Sequence, residues 1–296
     1  MLKKAICYST HFRQLVLAVG LLVVSQGCKI SLPQPSGRVQ INNPNPTRDD
    51  NLALGNPSGA SVGDPDNFLM VKSAYALSYN RKRGIANWVS WHLSTAWKGT
   101  ASRNNDFRPD PQLPTDWFTP RTSDYTNTGF DRGHLCPSDD RDGSIDDNSA
   151  TFLLTNIVPQ APRHNREVWK ELEEYCRKLL ASNNELYIIA GTDGTRGTGS
   201  EGEVSKLADG KLTVPQALWK VIVVMPVGSN DLGRINANTR VIAVNIPNRQ
   251  TAADKPWTYY LMSVDEVERR TGYDFFSNLP QDLQQTLESR VDGSVN

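Results

Sequence analysis

Between His164 and Leu180 the chain repeats apolar side chains at Val168, Leu172, Tyr175, Cys176, Leu179 and Leu180, in steps of three and four. That period gathers them on one face of a helix and predicts a helix over His164 to Leu180. Directly before it, Phe152-Leu153-Leu154-Thr155-Asn156-Ile157-Val158 is a short apolar run stopped by Pro159, which reads as a buried strand. A strand leading into a one-faced helix needs a shared core to cover both. Composition fits one soluble α+β domain of about 230 residues behind a leader.

The same helix carries a second stripe, Asn165, Trp169, Glu173 and Arg177, one residue per turn. An amide, a carboxylate and a guanidinium in line suit a hydrated cation and a phosphate. Plainer readings stand beside this one. Asn165 at the first turn could be an N-cap, and Glu173 with Arg177 could be an exposed i,i+4 pair worth a few tenths of a kcal/mol.

Upstream lies Asp131-Arg132-Gly133-His134-Leu135-Cys136-Pro137-Ser138-Asp139-Asp140-Arg141. Arg132 offers a planar fork that matches phosphate. His134 has the side chain whose ordinary pKa lies nearest neutrality, so it can accept a proton at working pH. Gly133 between them allows close backbone approach. A base beside a phosphate fork suggests phosphodiester cleavage; a turn with a surface salt bridge is the bland alternative.

Taken together, Asp131-Arg132-Gly133-His134, Thr155-Asn156-Ile157-Val158-Pro159-Gln160 and Asn165 through Glu173 resemble the DNA/RNA non-specific endonucleases of the ββα-metal class, in particular the secreted cyanobacterial-type, sugar-non-specific kind. The resemblance runs from about Asn67 to about Ser289. It implies a ββα-metal (His-Me finger) fold with a central, mostly antiparallel sheet flanked by helices. It also implies His134 as general base and Asn165 as the one direct protein ligand of a single Mg or Mn ion whose other ligands are waters. By the same resemblance Glu173 orders metal-bound water, Arg103, Arg132 and Arg177 contact phosphate, and Asn156 has a supporting role. The expected substrates are DNA and RNA, cut to leave 5′-phosphates. A dedicated protein inhibitor is a further expected kind of partner, because an untimely nuclease harms its host.

At the start of the chain, Lys3 and Lys4 precede a short apolar core from Leu15 to Val24, the pattern of an export signal over residues 1–27. That core falls short of the roughly 20 apolar residues that span a bilayer. Ser25-Gln26-Gly27-Cys28 admits cleavage before a lipidated Cys28, although Ser25 stands where lipoprotein signals carry leucine; plain secretion is the stronger reading. Export places the protein outside the cell or in the periplasm. Residues 28–66, rich in Pro, Asn, Ser, Gly and Asp, read as a flexible linker, and residues 67–296 as the endonuclease domain.

Within that domain Tyr75 to Tyr79 and Ala86 to Leu93 read as a hairpin, and Glu185 to Gly191, Trp219 to Met225 and Thr239 to Ile246 as further strands. His92 has no histidine or acidic cluster near it in sequence and reads as a packed strand histidine. Thr192 to Gly202 is a Gly/Thr/Ser loop without the Lys-Ser/Thr ending of a P-loop. Ser263 with Glu266 forms a capping box that opens a helix, and Gly272 is placed to close it. Leu279 to Arg290 reads as a last helix.

Lys and Arg total 32 and Asp and Glu total 32, for zero formal net charge. That balance argues against a generic nucleic-acid binder, and leaves a basic patch at Arg81, Lys82, Arg83, Lys98, Arg103 and Arg108 to be tested by structure. The four histidines lack metal-ligand spacing, which argues against zinc. Cys136 and Cys176 flank the proposed site, and an exported protein could pair them. A catalytically dead binding module and a narrower phosphodiesterase are the competing functions.

Overall fold

A computed structural model describes residues 46–294. The expected export signal, Cys28 and the first part of the expected linker lie outside the described residues. In chain order the elements are β1 (Phe68–Val71), β2 (Ala76–Asn80), β3 (Ile85–Leu93), β4 (Asp131–His134), α1 (Ile145–Ala150), β5 (Ile157–Gln160), α2 (Lys170–Ala181) and β6 (Asn184–Asp193). Four short strands follow, β7 (Gly197–Gly199), β8 (Gly202–Val204), β9 (Lys206–Leu207) and β10 (Leu212–Thr213). The chain continues through β11 (Ala217–Pro226), α3 (Asp231–Arg234), β12 (Arg240–Pro247), β13 (Leu261–Met262), α4 (Val264–Thr271) and α5 (Gln281–Glu288).

A seven-stranded sheet, ordered β1-β2-β3-β6-β11-β12-β13 with every neighbouring pair antiparallel, forms the middle layer. Side chains alternate between its faces, as the strand period of two requires. On β11, Leu218, Ile222 and Val224 join one core with Leu172 and Cys176 of α2, while Trp219, Val221 and Val223 join another with Val264 and Val267 of α4 and Leu287 of α5. Both faces are covered, which is why the central strands read as unbroken apolar runs. The α+β expectation holds, with an antiparallel sheet between two helical layers.

The expected linker is folded from residue 46 onward. Leu54 and Ala60 are buried, Asn56 brackets Ala60 through its side-chain amide, and Trp88 Nε1 donates to Ser58 Oγ at 2.7 Å. A segment with so few apolar residues reads as disordered, but here its polar groups bond to the domain.

The strand expected over Phe152 to Val158 forms only at its end. Leu154–Asn156 is a 3₁₀ turn, and β5 begins at Ile157 and runs through Pro159. Proline is tolerated because β5 belongs to a two-stranded ribbon with β4 rather than to the main sheet. The helix expected from His164 begins as a wide π turn, His164–Trp169, and becomes α-helical at Lys170. π turns of this kind concentrate at functional sites. The loop from Thr192 contains the β7–β8 hairpin. Ser263 Oγ accepts from Glu266 N, and Gly272 closes α4 at φ 74°; only this half of the expected capping box forms among the described residues, because the Glu266 carboxylate is bound by Arg269 and Arg270.

Cys136 and Cys176 are free and buried, so no disulfide joins them. Burial pushes both thiols up to about 12. Neither should react with a thiol reagent such as Ellman's reagent in the native state, and both should react in guanidinium. Fast labelling of the folded protein at either position would contradict this packing.

Candidate active site

β4 and β5 pair with Asp131 opposite Gln160 and His134 opposite Ile157. The π turn and α2 follow after a short connection, so two strands and a helix make one compact unit. Its open side is a cavity of about 310 Å³ lined by Arg103, Arg132, His134, Asn165, Glu173 and Arg177, with Ser138, Asp139, Arg166 and Lys170 among its walls. Every residue expected from the sequence reaches this cavity except Asn156.

His134 is buried between aromatic rings, with Phe152 edge-on at 4.9 Å and Phe107 at 5.4 Å between ring centres. Its Nε2 has no hydrogen-bond partner among the described residues. Burial first, and the Arg103 charge second, push its pKa down to about 3. The imidazole is therefore neutral at any working pH, the form in which it accepts a proton.

Arg103 reaches the cavity from the loop before β4. Its Nη1 donates to Ser138 Oγ at 2.9 Å, its Nε donates to Asn105 Oδ1 at 2.8 Å, and the guanidinium lies 5.1 Å from the Phe152 ring centre. Arg132 lies 4.7 Å from the centre of Phe107. Neither is ion-paired to a carboxylate among the described residues, so both positive charges remain available to an anion. The other arginines nearby are engaged: Arg177 with Asp140 at 3.1 Å, and Arg166 bidentate with Asp131 at 2.6 and 2.8 Å.

Asn165 caps nothing. Its Nδ2 donates to Asp131 Oδ2 at 2.9 Å. Since a carboxylate can only accept, this bond fixes which way the amide faces and leaves Oδ1, the atom able to ligate a cation, free of Asp131. A hard oxygen donor of this kind, with Glu173 in the same cavity, fits a divalent cation that keeps most of its waters.

Glu173 reaches the cavity from α2 and is nearly buried. Burial pushes its carboxyl up to about 7, opposed by Lys220 and Arg177. Lys220 Nζ lies 3.9 Å from Glu173 Oε1 and 4.1 Å from the Trp169 ring centre. The sequence reading missed Lys220. The signal was there: one lysine inside Ala217–Pro226, an otherwise apolar strand, at a position facing α2. Trp169, on the same stripe as Asn165, Glu173 and Arg177, is buried beneath Lys220.

Asn156 is a positioning residue. Its Oδ1 accepts from Cys136 N at 2.9 Å, and its Nδ2 donates to the carbonyls of Cys136 and Thr151, each at 2.8 Å. With all three bonds made inward, it holds the turn that follows His134. Gly133 is required by space. A Cβ there would overlap the carboxamide of Gln160, which is buried and contacts His164. Gly133→Ala should cost about 1–3 kcal/mol by overpacking and displace the adjacent Arg132 and His134. Thermal unfolding together with an activity assay checks this, and wild-type values for both would refute the contact.

The expected basic patch is mostly neutralised. Arg81, Lys82, Lys98 and Arg108 pair with Asp116, Asp66, Asp142 and Asp106, and Arg103 alone lines the cavity. His92 does have acidic neighbours, Asp49, Glu185 and Asp231, drawn from distant parts of the chain. Asp49 N donates to His92 Nδ1 at 3.2 Å, which puts the ring proton on Nε2, facing Glu185 Oε2 at 3.6 Å. A protonated nitrogen cannot ligate a metal, and Arg234 already bridges Glu185 and Asp231. That cluster is a buried charge network. A larger concavity of about 730 Å³ is no better candidate, because its arginines, Arg234 and Arg240, are both paired with carboxylates.

A neutral histidine, an amide oxygen and one unpaired guanidinium on a strand–strand–helix unit, with a second guanidinium from the preceding loop, define a phosphodiester-cleaving site of the ββα-metal type. The chain belongs to the DNA/RNA non-specific endonuclease family, whose model matches residues 58–282. It is 50% identical over 243 residues to a nuclease of Nostoc sp., covering 81% of this chain and 85% of that one. It is 32% identical over 248 residues to the Serratia marcescens nuclease, with the same shares covered. Among solved structures, the crystal structure of the EndoG/EndoGI complex, titled for its mechanism of EndoG inhibition, matches with a TM-score of 0.65 at 24% identity. That match covers 79% of this chain and 92% of the other, and shows the shared fold. The protein is a nuclease of this non-specific type, from a family of metal-dependent enzymes.

Proposed function

We propose that the protein hydrolyses both DNA and RNA with His134 as general base and Asn165 as the single protein ligand of a Mg or Mn ion, leaving 5′-phosphates. The observation that carries this is the neutral imidazole of His134 lining one cavity with Asn165. Arg103 and Arg132 hold the phosphate and offset the charge that builds on it. His134 takes a proton from the attacking water. Glu173 orders water in the same space, and Arg177, anchored by Asp140, tempers its charge. The cation, when bound, stabilises negative charge on the phosphate and the leaving oxygen. These contacts address phosphate and read no base, so broad substrate use follows.

The inactive-module reading has no observation in its favour, since base, amide, carboxylate and both free guanidinium groups stand together. The deciding experiment incubates the protein with plasmid, single-stranded DNA and RNA, with Mg or Mn or with chelator, and labels the product ends. All three substrates should be cut, only with metal, leaving 5′-phosphates. Binding without cutting, or cleavage of one substrate alone, would reject the proposal.

We further infer export, on the strength of Lys3, Lys4 and the short apolar core that follows. No helix among the described residues is long and apolar enough to cross a membrane. The mass of the mature protein distinguishes plain secretion from a lipid anchor at Cys28. A protein inhibitor acting on this cavity is consistent with the EndoG/EndoGI complex, though only the fold is shared with that structure.

A further inference from the structure

On the sheet face away from the catalytic cavity, α4 and α5 meet at three carboxylates. Asp265 and Glu268 are one turn apart on α4, and Glu288 is the last residue of α5. One oxygen from each lies within 4.8 Å of the corresponding oxygen of the other two. Two oxygens that each sit about 2.4 Å from one calcium ion can be at most about 4.8 Å apart, so no pair among the three is too far apart to share one coordination shell.

Glu288 supplies the second observation. It is 6% exposed, and its Oε1 is buried with no hydrogen-bond partner. A buried carboxylate oxygen normally has a donor, and none is present here. None of the three carboxylates is ion-paired among the described residues. The nearest basic side chains in sequence are turned elsewhere: Arg269 to Glu266, Arg270 to Glu266 and Asp193, and Arg290 to the carbonyl of Thr286. Glu268 Oε1 accepts from Phe275 N at 2.7 Å, which fixes that side chain in place. Burial, then Glu268, Asp265 and Asp274, push the Glu288 carboxyl up to about 8.

We propose that Asp265, Glu268 and Glu288 bind a hard divalent cation of the calcium kind, which clamps α5 to α4. Oxygen-only donors and an irregular shell suit calcium better than magnesium, which demands near-octahedral geometry at shorter distance. The site is separate from the catalytic cation, because it lies across the sheet and shares no residue with the cavity.

The test titrates chelator-treated full-length protein with calcium chloride, by calorimetry and by thermal unfolding. The panel is wild type, Asn165→Ala, Glu288→Gln and Asp265→Asn. Calcium should bind and raise Tm in wild type and in Asn165→Ala, whose catalytic ligand is gone. Affinity should fall at least tenfold in Glu288→Gln and in Asp265→Asn, with magnesium-dependent DNA cleavage unchanged in both. Asp265 is exposed, so its variant should keep the fold should Glu288→Gln fail to. Absence of calcium binding in wild type, or equal affinity in wild type and Asp265→Asn, would overturn the proposal; Glu288 would then carry a proton in place of a cation.

Discussion

His134→Ala should lower the cleavage rate by about 10²–10⁴-fold, the usual worth of a positioned base. The loss should be the same for DNA and RNA, since the proton comes from water whichever sugar is present. The ring has no hydrogen-bond partner at Nε2, so the variant loses aromatic packing against Phe107 and Phe152 but breaks no bond at that atom. Folding should therefore survive, and circular dichroism with a melting curve checks it. Added imidazole should restore part of the activity by entering the space vacated between the rings. A folded His134→Ala protein with near wild-type rates on both substrates would remove His134 from the reaction.

Asn165→Ala should raise the Mg or Mn concentration needed for half-maximal activity by at least the 10–100-fold seen when residues merely supporting metal ligands are lost. Asp131 Oδ2 receives the amide NH₂, and this leaves the amide oxygen for a cation. That bond also predicts that Asn165→Asp will not substitute. An added carboxylate would replace that donor and face Asp131, which is already bound by Arg166. Metal titrations of the three proteins on one DNA substrate decide the matter. If the curves of wild type and Asn165→Ala coincide, Asn165 is not the ligand.

Much of the site was legible because its parts are local. Asp131 to His134 and the Asn165 to Glu173 stretch are each short, and each sits on one element or the turn that opens it. Arg132 and His134 are two residues apart on a strand, so they share a face in any fold that keeps the strand. Glu173 and Arg177 are one helical turn apart, and both line the cavity. The helix that carries them, the main strands and the Ser263 N-cap follow from periodicity and end signals in the same way.

The failures share a cause as well. Residues 46–66 look unstructured because their few apolar side chains are sparse, yet β3 supplies what they bury against and bond to. Phe152 to Val158 looks like a strand because it is apolar, but a 3₁₀ turn places Asn156 where its amide can hold the chain after His134. His92 looks isolated until Asp49, Glu185 and Asp231 converge on it.

The sequence by itself determined the α+β class, the strand–helix unit and the family motifs that single out His134, Asn165 and the arginines as candidates, because each motif lies within one element or the turn that opens it. Only the tertiary structure decided which charges are free. It paired most of the basic residues with carboxylates, left Arg103 and Arg132 unpaired, set Lys220 against Glu173 across the α2–sheet interface, and aimed the Asn165 amide with Asp131. Charge pairing and burial depend on neighbours distant in the chain, and no local pattern specifies which neighbours will meet.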